Sequence, residues 1–409
     1  MSNDYDVIVA GGGPSGIGAA FAAARSGRKV AILERNAFLG GVATNSSLPL
    51  LVNRKAHDSL DLSGEVYKSI ISRIRSENNS YYGAIACDFV DLEQYKMVLD
   101  KMAAELRIDV FFHAWGFEAI KAEQRKISGI RVLTRQGTME FHAPLIVDAT
   151  GDASIAAVAG CETELIQNPQ PMTMMLRIGN VNVQKGIDAE VFSSADGKNA
   201  ITWSIRKYFD AAKAESSFNI PRSDISLCCT NPASTTEVFV AGTRILHKHN
   251  LNAREISEAE QEGRRQALEL FKLFKKYVPG FENSYLIGSG PEIGVREGRR
   301  LVGKYRLTRD DVTGMAAFDD AIAACAYAID VHNPDDGSTE LIELHNTGRG
   351  FYQIPFRCCQ PRDFGGLLVV GRAISADTAA AGSFRVMPTV MSIGEGAIDF
   401  YLKNKEMVY

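Results

Sequence analysis

Long hydrophobic runs are missing from this 409-residue sequence. No uninterrupted apolar stretch is long enough to cross a bilayer, and no internal repeat of the kind that builds a solenoid is present. A strong charge excess is missing too, because 45 Lys and Arg stand against 49 Asp and Glu, a net charge of −4. We therefore expect neither a membrane protein nor one that binds nucleic acid or an anionic membrane surface.

The seven cysteines include no CxxC pair, and their number is odd. Adjacent residues such as Cys358 and Cys359 suit neither a redox dithiol nor a zinc site. His247 and His249 have no further ligands at a recognisable spacing, so no metal site is predicted. The acidic N-terminal segment lacks the basic region and cleavage site of a secretory signal. These absences predict a reduced, cytoplasmic protein.

A glycine-rich turn near the start is what the sequence does have. The run "YDVIVA" (residues 5–10) is short and apolar, as in a buried parallel strand, and "GGGPSG" (11–16) follows it. An Ala-rich helical segment then leads to a second apolar run, "KVAILE" (29–34). Strand, turn, helix and strand within about 30 residues indicate a βαβ unit.

The glycines of this turn have the spacing of a dinucleotide-binding motif. Gly11 permits the tight turn, Gly13 lets a pyrophosphate approach the backbone, and Gly16 lets the helix pack closely on the strand. The helix N-terminus, at Pro14 and Ser15, then directs free N–H groups at the phosphates. A purely structural turn is the alternative interpretation.

Glu34 ends the second apolar run, where an acidic side chain can accept hydrogen bonds from a ribose. An acid at this position disfavours a 2′-phosphate, so NADP is excluded here. FAD and NAD both remain open on these residues alone.

The segment after Glu34 separates the two dinucleotides. It reads "RNAFLGGVATN" (35–45), in which Gly40 and Gly41 precede Thr44. This pattern resembles the extension found in flavoproteins of the glutathione-reductase-like FAD superfamily. The resemblance implies that Arg35, the glycine pair, Ala43 and Thr44 lie along the FAD ribose and pyrophosphate. A simple loop is the alternative.

Two further segments resemble the same superfamily. The strand "LIVDA" leads into Ala149, Thr150 and Gly151, and the resemblance implies that this turn also touches the cofactor. Upstream, residues 108–120 and 126–143 are typical of a β-meander. In such proteins a residue near Phe117 offers its backbone to the adenine.

The C-terminal stretch 365–397 completes the resemblance. A buried strand ends at Gly371 and Arg372, which the resemblance places beside the ribityl and phosphate chain. It also implies that the next helix directs its N-terminal N–H groups at the pyrimidine edge of the flavin. The residues at that helix start are Val386, Met387 and Thr389. A helix N-terminus stabilises the negative charge that a reduced flavin carries.

Segments along nearly the whole chain resemble the broad group called FAD-dependent oxidoreductases. Among them are "YQIPFRCCQP", "AIDVHNPDDG" and "GSFRVMPTVMSIGEGA". The sequence departs from many relatives at Thr378, where they have a histidine. A mechanism that depends on a histidine in that loop is therefore in doubt.

The predicted fold is α/β, with a Rossmann-like FAD-binding domain of the ββα-sandwich type and an inserted α+β substrate domain. We assign residues 1–47, 85–165 and 350–409 to the FAD-binding domain. We assign the helical insert 48–84 and residues 166–349 to the substrate domain.

Two segments of the substrate domain have an alternative function to weigh. Residues 254–278 form an amphipathic pattern that predicts a helix packed on this domain, with a solvated charged face rather than a partner site. Residues 286–294, "LIGSGPEIG", imitate a nucleotide motif, but no acid closes a following strand. We interpret them as substrate-domain structure rather than an NAD(P)H site.

Three arginines and two proton acceptors are candidates for a role in the reaction. Arg385 precedes the flavin-facing helix and is a candidate to pair with a substrate carboxylate or the reduced flavin. Arg296 and Arg299 are candidates for a bidentate carboxylate clamp. His332 and Tyr352 are each candidates for the general base. The alternatives are surface arginines, a hydrogen-bonded histidine and a packed tyrosine.

The sequence thus predicts a flavoenzyme with non-covalent FAD, a small-molecule substrate and an unidentified electron acceptor or donor. Hydride transfer from a C–OH or C–N group is favoured. An NAD(P)H-driven reductase or monooxygenase is the first rival, although the D-G pair of aromatic hydroxylases is replaced here by Gly151-Asp152. A flavin-binding module without turnover is the second. Association into a homo-oligomer stays open.

Overall fold

The computed structural model describes residues 3–52, 60–76, 81–84, 87–123, 125–215, 218–335, 338–344 and 349–404. The strands in this part of the chain are β1 (Val7–Ala10), β2 (Val30–Glu34), β3 (Leu50–Val52), β4 (Tyr81–Ala84), β5 (Cys87–Val90), β6 (Asp109–Phe112), β7 (Trp115–Glu123), β8 (Lys126–Thr134), β9 (Gly137–His142), β10 (Leu145–Asp148), β11 (Thr163–Leu165), β12 (Met175–Gly179), β13 (Ser193–Ser194), β14 (Ala200–Thr202), β15 (Leu227–Thr230), β16 (Val238–Ala241), β17 (Tyr285–Ser289), β18 (Arg299–Leu301), β19 (Ala321–Cys325), β20 (Ile329–His332), β21 (Thr339–Ile342), β22 (Tyr352–Pro355) and β23 (Leu367–Val369). The helices are α1 (Pro14–Arg25), α2 (Val42–Asn45), α3 (Glu65–Ser76), α4 (Leu92–Glu105), α5 (Ser154–Ala159), α6 (Val183–Asp188), α7 (Arg206–Ala214), α8 (Ala253–Tyr277), α9 (Arg309–Thr313), α10 (Thr378–Phe384) and α11 (Met387–Lys403).

A parallel sheet with the order β23-β10-β1-β2-β6 organises the first half of the molecule. All its neighbours pair in parallel, so the carboxyl ends of the strands meet at one edge. The strands β1, β2, β10 and β23 are buried throughout, as expected for a sheet covered on both faces. This arrangement confirms the predicted Rossmann-like α/β fold.

Strand alternation decides which layer covers each face of this sheet. Val7 and Val9 pack into the core that contains α1 and α11. Ile8, between them, packs into the core formed with the antiparallel meander β7-β8-β9 and α5. Successive side chains of a strand point to opposite faces, so one run of apolar residues serves both layers. The result is a ββα sandwich.

A six-stranded antiparallel sheet, β13-β14-β15-β16-β12-β17, forms a second core with α8. The predicted amphipathic helix at 254–278 is α8, and its apolar face, including Leu270 and Phe274, packs into that core. The imitation motif at 286–294 overlaps β17, an antiparallel edge strand, rather than a βαβ turn. The predicted domain boundaries stay a prediction.

The insert 48–84 differs from the helical segment that the sequence predicts. It contains α3, but also β3 and β4, which pair on either side of β5. Residues 53–59 and 77–80 lie outside the described residues. In the part of the chain that the structure describes, no helix combines the length and hydropathy that a membrane span needs.

Candidate cofactor and active site

The turn after β1 is shaped by glycines that leave no room for a side chain. Gly11 has φ +107°, and a Cβ there would lie 2.4 Å from the Ala149 carbonyl oxygen. A Cβ on Gly16 would lie 1.9 Å from the Gly11 carbonyl oxygen, so α1 begins directly against the turn. Both positions require glycine for packing.

Gly13 is different, because the space beside it is open. The nearest described atom to a Cβ built there is the Gly41 Cα, at 3.8 Å. Gly13 is also the N-cap of α1, and no described side chain caps that helix start. Backbone N–H groups at an uncapped helix N-terminus beside open space form an anion site.

The second glycine turn closes against the first one. Gly40 N–H donates to the Gly12 carbonyl oxygen at 2.9 Å. Gly41, with φ +55°, would place a Cβ 2.7 Å from the Gly13 Cα. Thr44 then donates its hydroxyl proton to the Leu39 carbonyl oxygen at 2.8 Å and holds α2 in place. Ala43 is buried in the same short helix.

Glu34 lies beneath both turns. Its Oε2 accepts from Gly12 N–H at 2.6 Å and its Oε1 accepts from Asn36 N–H at 2.8 Å. Burial raises the pKa of this carboxyl group, while the two backbone donors oppose the shift. The next residue, Arg35, forms an ion pair with Glu292 at 2.8 Å and lies over the Trp115 ring.

Phe117 lies at an irregularity of β7. The register against β8 shifts between Gly116 and Glu118, so the ladder is interrupted at Phe117. Its side chain is 42% exposed. A β-bulge leaves backbone groups outside the ladder, which is what hydrogen bonding to an adenine edge requires.

The turn after β10 is tied to the sheet by Asp148. This carboxylate accepts from the Thr150 hydroxyl at 2.6 Å and from Ala156 N–H at 2.9 Å. Burial raises the pKa of Asp148. Ala149 N–H donates to the Ala10 carbonyl oxygen at 2.8 Å, so this turn lies directly beside the one after β1.

The turn after β23 completes the edge. Gly371 has φ +83°, and a Cβ there would lie 2.5 Å from the Ser15 Oγ. Arg372 Nη2 donates to Asp152 Oδ2 at 3.2 Å, and its guanidinium lies against Gly151. Arg372 Nε and Asp152 Oδ1 are buried without a hydrogen-bond partner among the described residues.

These features fit a dinucleotide. The open space at Gly13, the uncapped start of α1 and the unsatisfied polar atoms of Arg372 and Asp152 are concentrated at the carboxyl edge of the sheet. Buried polar atoms are normally satisfied, so a missing ligand is the simplest explanation of these two. The start of α11, with Val386 as N-cap and Met387 and Thr389 buried, also lacks a side-chain cap in the described structure.

Arginines gather close to the start of α11. Arg385 Nη2 donates to the Asp330 carbonyl oxygen at 2.9 Å, while its buried Nη1 has no partner among the described residues. Arg244 Nη2 lies 3.3 Å from His332 Nδ1. Arg296 Nη1 donates to the Thr173 hydroxyl at 3.0 Å and to the Pro171 carbonyl oxygen.

Electrostatic coupling joins these arginines to a fourth, Arg222. Burial lowers the pKa of Arg296 well below its usual value, and the charges of Arg385, Arg222 and Arg244 lower it further. Burial also lowers the pKa of Arg222, to about 10, with Arg244 as a second cause. We call Arg222, Arg244, Arg296 and Arg385 the arginine cluster.

Comparison with known proteins decides the family. A family model described as "FAD dependent oxidoreductase" matches residues 6–398. The chain belongs to this family. FAD is accordingly the dinucleotide for which the glycine turns are built, and the flavoprotein is an oxidoreductase of the FAD dependent family.

Curated relatives match smaller parts of this FAD dependent oxidoreductase. A soluble pyridine nucleotide transhydrogenase of Pseudomonas syringae pv. syringae is 32% identical over 162 residues, which are 36% of this chain and 31% of that protein. One from Mycobacterium bovis is 46% identical over 54 residues, 13% of this chain and 12% of that protein. The chain thus spans about a third or less of these curated relatives' length.

Solved structures resemble the whole chain at low identity. A geranylgeranyl bacteriochlorophyll reductase-like protein from Thermoplasma acidophilum has a TM-score of 0.50 and 15% identity, covering 99% of this chain and 79% of that one. The myxobacterial chondrochloren halogenase CndH, described as a FAD-dependent halogenase, has a TM-score of 0.51 and 15% identity, covering 99% and 76%. At this identity the likeness shows the fold.

His332 contacts one arginine of the cluster, Arg244, in this FAD dependent oxidoreductase. Its Nδ1 faces the Arg244 guanidinium and the Thr339 hydroxyl, which is 2.9 Å away. A guanidinium only donates, so Nδ1 accepts and the proton resides on Nε2. Burial, followed by the charges of Arg296, Arg385 and Arg244, lowers the pKa of His332 far below its usual value. This geometry argues against His332 as the general base.

Tyr352 lies in the core rather than at a surface that a substrate can reach. Its side chain is fully buried in β22, and its hydroxyl donates to Ser383 Oγ at 2.9 Å. Burial raises its pKa well above the usual value. These surroundings favour the alternative of a packed tyrosine.

The three arginines of the segment VREGRR (residues 295–300) lie in different surroundings. Arg296 joins the arginine cluster, whereas Arg299 is half-buried in β18, opposite Leu165 of β11. Arg300 is fully buried and pairs with Glu297, and its Nη1 donates to Thr378 Oγ1 at 3.3 Å. Thr378 therefore contacts a buried cation.

Arg222 and Arg244 were missed by reasoning from the sequence. Neither stands in a recognisable motif; they lie in "NIPRSD" and "AGTRIL". The pairing of Met172 with Ile245 and of Thr173 with Gly294 brings the segment of Arg244 beside that of Arg296.

Proposed function

We propose that this FAD dependent oxidoreductase transfers a hydride between a small organic substrate and non-covalently bound FAD, with oxidation of a C–OH or C–N group. The observation that carries the proposal is Arg385. It stands just before the N-cap of α11 with a buried, unpartnered Nη1 among the described residues. A cation there stabilises an anionic substrate group or the negative charge of the reduced flavin.

FAD, when bound, supplies the two-electron chemistry, and the protein supplies position, charge and proton transfer. In this chain the glycine turns and the starts of α1 and α11 would hold the cofactor. Arg385 would orient the substrate. The hydroxyl or amine proton needs an acceptor other than buried Tyr352 or His332, whose Nδ1 already accepts and whose pKa is lowered by burial. The Asp330 carboxylate, to which the Tyr327 hydroxyl donates at 3.3 Å, is our candidate.

The test is the visible spectrum of the purified holoprotein under anaerobic conditions, first with NADH and then with NADPH. We expect a flavin band that neither nicotinamide bleaches, and that a substrate alcohol, amine or hydroxy acid does bleach. Absence of a flavin band after addition of FAD contradicts the cofactor assignment. A bound flavin that no compound reduces favours a module without turnover.

A nicotinamide-driven reaction is the second candidate. Similarity over 162 residues to proteins named soluble pyridine nucleotide transhydrogenase supports it. Rapid bleaching by NADH or NADPH in the same experiment would establish this candidate in place of the first. The described residues offer no second βαβ glycine turn for a nicotinamide, since the one imitation lies on an antiparallel edge strand.

The variant Arg385→Ala tests the proposed role of Arg385 in stabilising the substrate or the reduced flavin. We expect kcat/KM to fall by an amount equivalent to about 2–4 kcal/mol of transition-state stabilisation, since a cation with a buried, unpartnered Nη1 among the described residues is lost. The matched control is Arg306→Ala, an exposed arginine paired with Glu164. Equal kcat/KM in the Arg385 variant and the wild type would contradict the role of Arg385.

We also propose a cytoplasmic location, a small-molecule substrate with an unidentified electron acceptor or donor, and no nucleic-acid or membrane partner. All seven cysteines are free and buried, which supports a reducing compartment. Treatment with a thiol reagent under native conditions should label no cysteine, as counted by mass.

A further inference from the structure

Asp152, Arg372 and Asn250 form a small polar group beside the carboxyl edge of the parallel sheet. Asp152 lies in the turn after β10, Arg372 in the turn after β23, and Asn250 in the loop before α8. Asp152 Oδ2 accepts from Asn250 Nδ2 at 3.0 Å and from Arg372 Nη2 at 3.2 Å. Three segments that are distant in sequence therefore meet at one carboxylate oxygen. We call these three residues the Asp152 group.

Asp152 and Arg372 each carry an unsatisfied polar atom. Asp152 Oδ1 and Arg372 Nε are buried and have no hydrogen-bond partner among the described residues. A carboxylate oxygen only accepts, and a guanidinium nitrogen only donates. A single chemical group that satisfies both atoms must therefore donate as well as accept. A hydroxyl does this, whereas a pyrophosphate has no proton to offer Asp152.

Asn250 holds Asp152 from the side of α8. Its Oδ1 is buried without a partner among the described residues and lies against Gly298, where a Cβ would overlap it. The preceding residue, His249, donates from Nε2 to the Ile166 carbonyl oxygen at 2.9 Å and fixes the loop. Because Asp152 Oδ2 already has two donors, Oδ1 is the oxygen that is left for a ligand.

The strand order places the Asp152 group on one side of the pyrophosphate position. β1, which leads into the start of α1, lies between β2 and β10, and β23 lies beyond β10. Glu34, the predicted ribose ligand, ends β2, so the adenosine half of FAD belongs on that side. The turn of Arg372 contacts the start of α1, since a Cβ on Gly371 would lie 2.5 Å from the Ser15 Oγ. The other half of FAD, with its ribityl hydroxyls, then extends over β10 and β23.

We propose that Asp152 accepts a hydrogen bond from a ribityl hydroxyl of FAD, and that Asn250 is the residue that positions Asp152 for this contact. The same hydroxyl accepts from Arg372 Nε. The resemblance assigns cofactor contacts to Gly151 and Arg372, but to neither Asp152 nor Asn250. The proposal concerns cofactor binding alone, so it applies to any reaction that the flavin carries out.

The first experiment uses the wild-type holoprotein and FAD analogues that lack one ribityl hydroxyl, at the 2′, 3′ or 4′ position. Each analogue competes with bound FAD, and the displaced FAD is measured after ultrafiltration. We expect one of them to bind at least about tenfold more weakly than FAD, because it loses a hydrogen bond to a charged group. If all three bind as tightly as FAD, as they would where a water molecule satisfies Asp152 and Arg372, the proposal is overturned.

The variant Asp152→Ala shows whether Asp152 is the partner of that hydroxyl. Its preference for FAD over the weakened analogue should disappear, because the variant and the analogue remove the same hydrogen bond. Asp363→Ala, which changes an exposed aspartate paired with Arg125, should keep the wild-type preference. An unchanged preference in Asp152→Ala overturns the proposal. So does the loss, instead, of a preference for FAD over its 2′-deoxyadenosine analogue.

The variant Asn250→Ala tests the positioning role. We expect FAD to bind about threefold more weakly, since one neutral donor is lost, and the preference over the weakened analogue to shrink with it. Asn168→Ala, which breaks an exposed hydrogen bond to Asp335, should change neither quantity. A wild-type preference in Asn250→Ala contradicts the positioning role. If Asp152→Ala loses the far-UV circular dichroism of the wild type, the analogue series and Asn250→Ala decide the proposal.

Discussion

At the scale of single residues, the positions of one turn require glycine for different physical reasons. Gly11 and Gly16 are required because a Cβ would overlap backbone atoms, whereas Gly13 has open space beside it. Packing explains the first two. For Gly13 the structure itself gives no packing reason, so we infer that the cofactor provides one.

Gly13→Ala should separate these reasons. We expect the variant to fold like the wild type and to lose FAD affinity at least about tenfold, or about 1.4 kcal/mol, because a methyl group fills the approach of the pyrophosphate. FAD titration by fluorescence measures the affinity, and Tm of the FAD-free protein measures the fold.

The control for Gly13→Ala is Gly288→Ala. A Cβ on Gly288 has no described atom within 4 Å, so the same chemical change enters open space outside the glycine turn after β1. Loss of FAD affinity in both variants, or in neither, would contradict the role of Gly13.

His332 predicts a pH dependence of stability. Its pKa is low in the folded state and about 6.5 in the unfolded state, so only the unfolded chain takes up a proton below that pH. Stability is therefore full above about pH 6.5 and falls by about 1.4 kcal/mol per pH unit below it.

His332→Gln should remove this contribution. We expect the loss of stability between about pH 7.5 and pH 5.5 to be smaller in the variant by about 1.4 kcal/mol, measured by urea unfolding with bound FAD at both pH values. His113→Gln, which changes an exposed histidine, should keep the wild-type slope. Parallel pH profiles for His332→Gln and the wild type would contradict the buried neutral state.

At the scale of elements, the contact between α1 and α11 positions both helix starts at the carboxyl edge of the parallel sheet. A Cβ on Gly394 would lie 1.9 Å from the Ser15 carbonyl oxygen, and a Cβ on Gly18 would lie 2.1 Å from the Met391 carbonyl oxygen. The two helix backbones therefore touch. This close approach brings the start of α11 to the same edge as the start of α1.

Gly394→Ala should push these helices apart. We expect a loss of about 1–3 kcal/mol of stability, as for other overpacked sites, together with weaker FAD binding because both helix starts shift. Thermal unfolding and FAD titration measure the two effects. Lys403→Ala, at the exposed end of α11, should change neither. Wild-type stability in Gly394→Ala would show that the contact can relax.

At the scale of the whole molecule, FAD is expected to stabilise the folded chain. Its ligand turns come from the ends of β1, β2, β10 and β23, which are distant in sequence, so binding occurs only after the sheet has formed. A ligand that binds only the folded state adds about 2.7 kcal/mol at a concentration one hundred times its Kd.

Removal of FAD should accordingly lower Tm by several degrees, and added FAD should restore it. FMN lacks the adenosine half that Glu34 and the Phe117 backbone are predicted to bind, so it should restore less. Differential scanning fluorimetry at matched ligand concentrations is the measurement. Equal stabilisation by FMN and FAD would contradict the assignment of the adenosine site.

The sequence by itself was enough for the fold and the cofactor. The glycine turns, the acid at Glu34 and the strand runs are local patterns, because turn geometry and strand alternation depend on neighbouring residues. Local patterns also identified α8. They predicted the insert 48–84 less well, because the pairing of β3 and β4 with β5 depends on partners outside each segment.

Only the tertiary structure brought the arginine cluster together. Arg222 and Arg244 stand in no motif, and Arg244 comes beside Arg296 because the adjacent residues Met172 and Thr173 pair with Ile245 and Gly294. The same surroundings decided the protonation of His332 and the burial of Tyr352, since a pKa depends on every charge and every buried face around a group. The cofactor was encoded in local sequence, whereas the grouping of these arginines was decided by long-range packing.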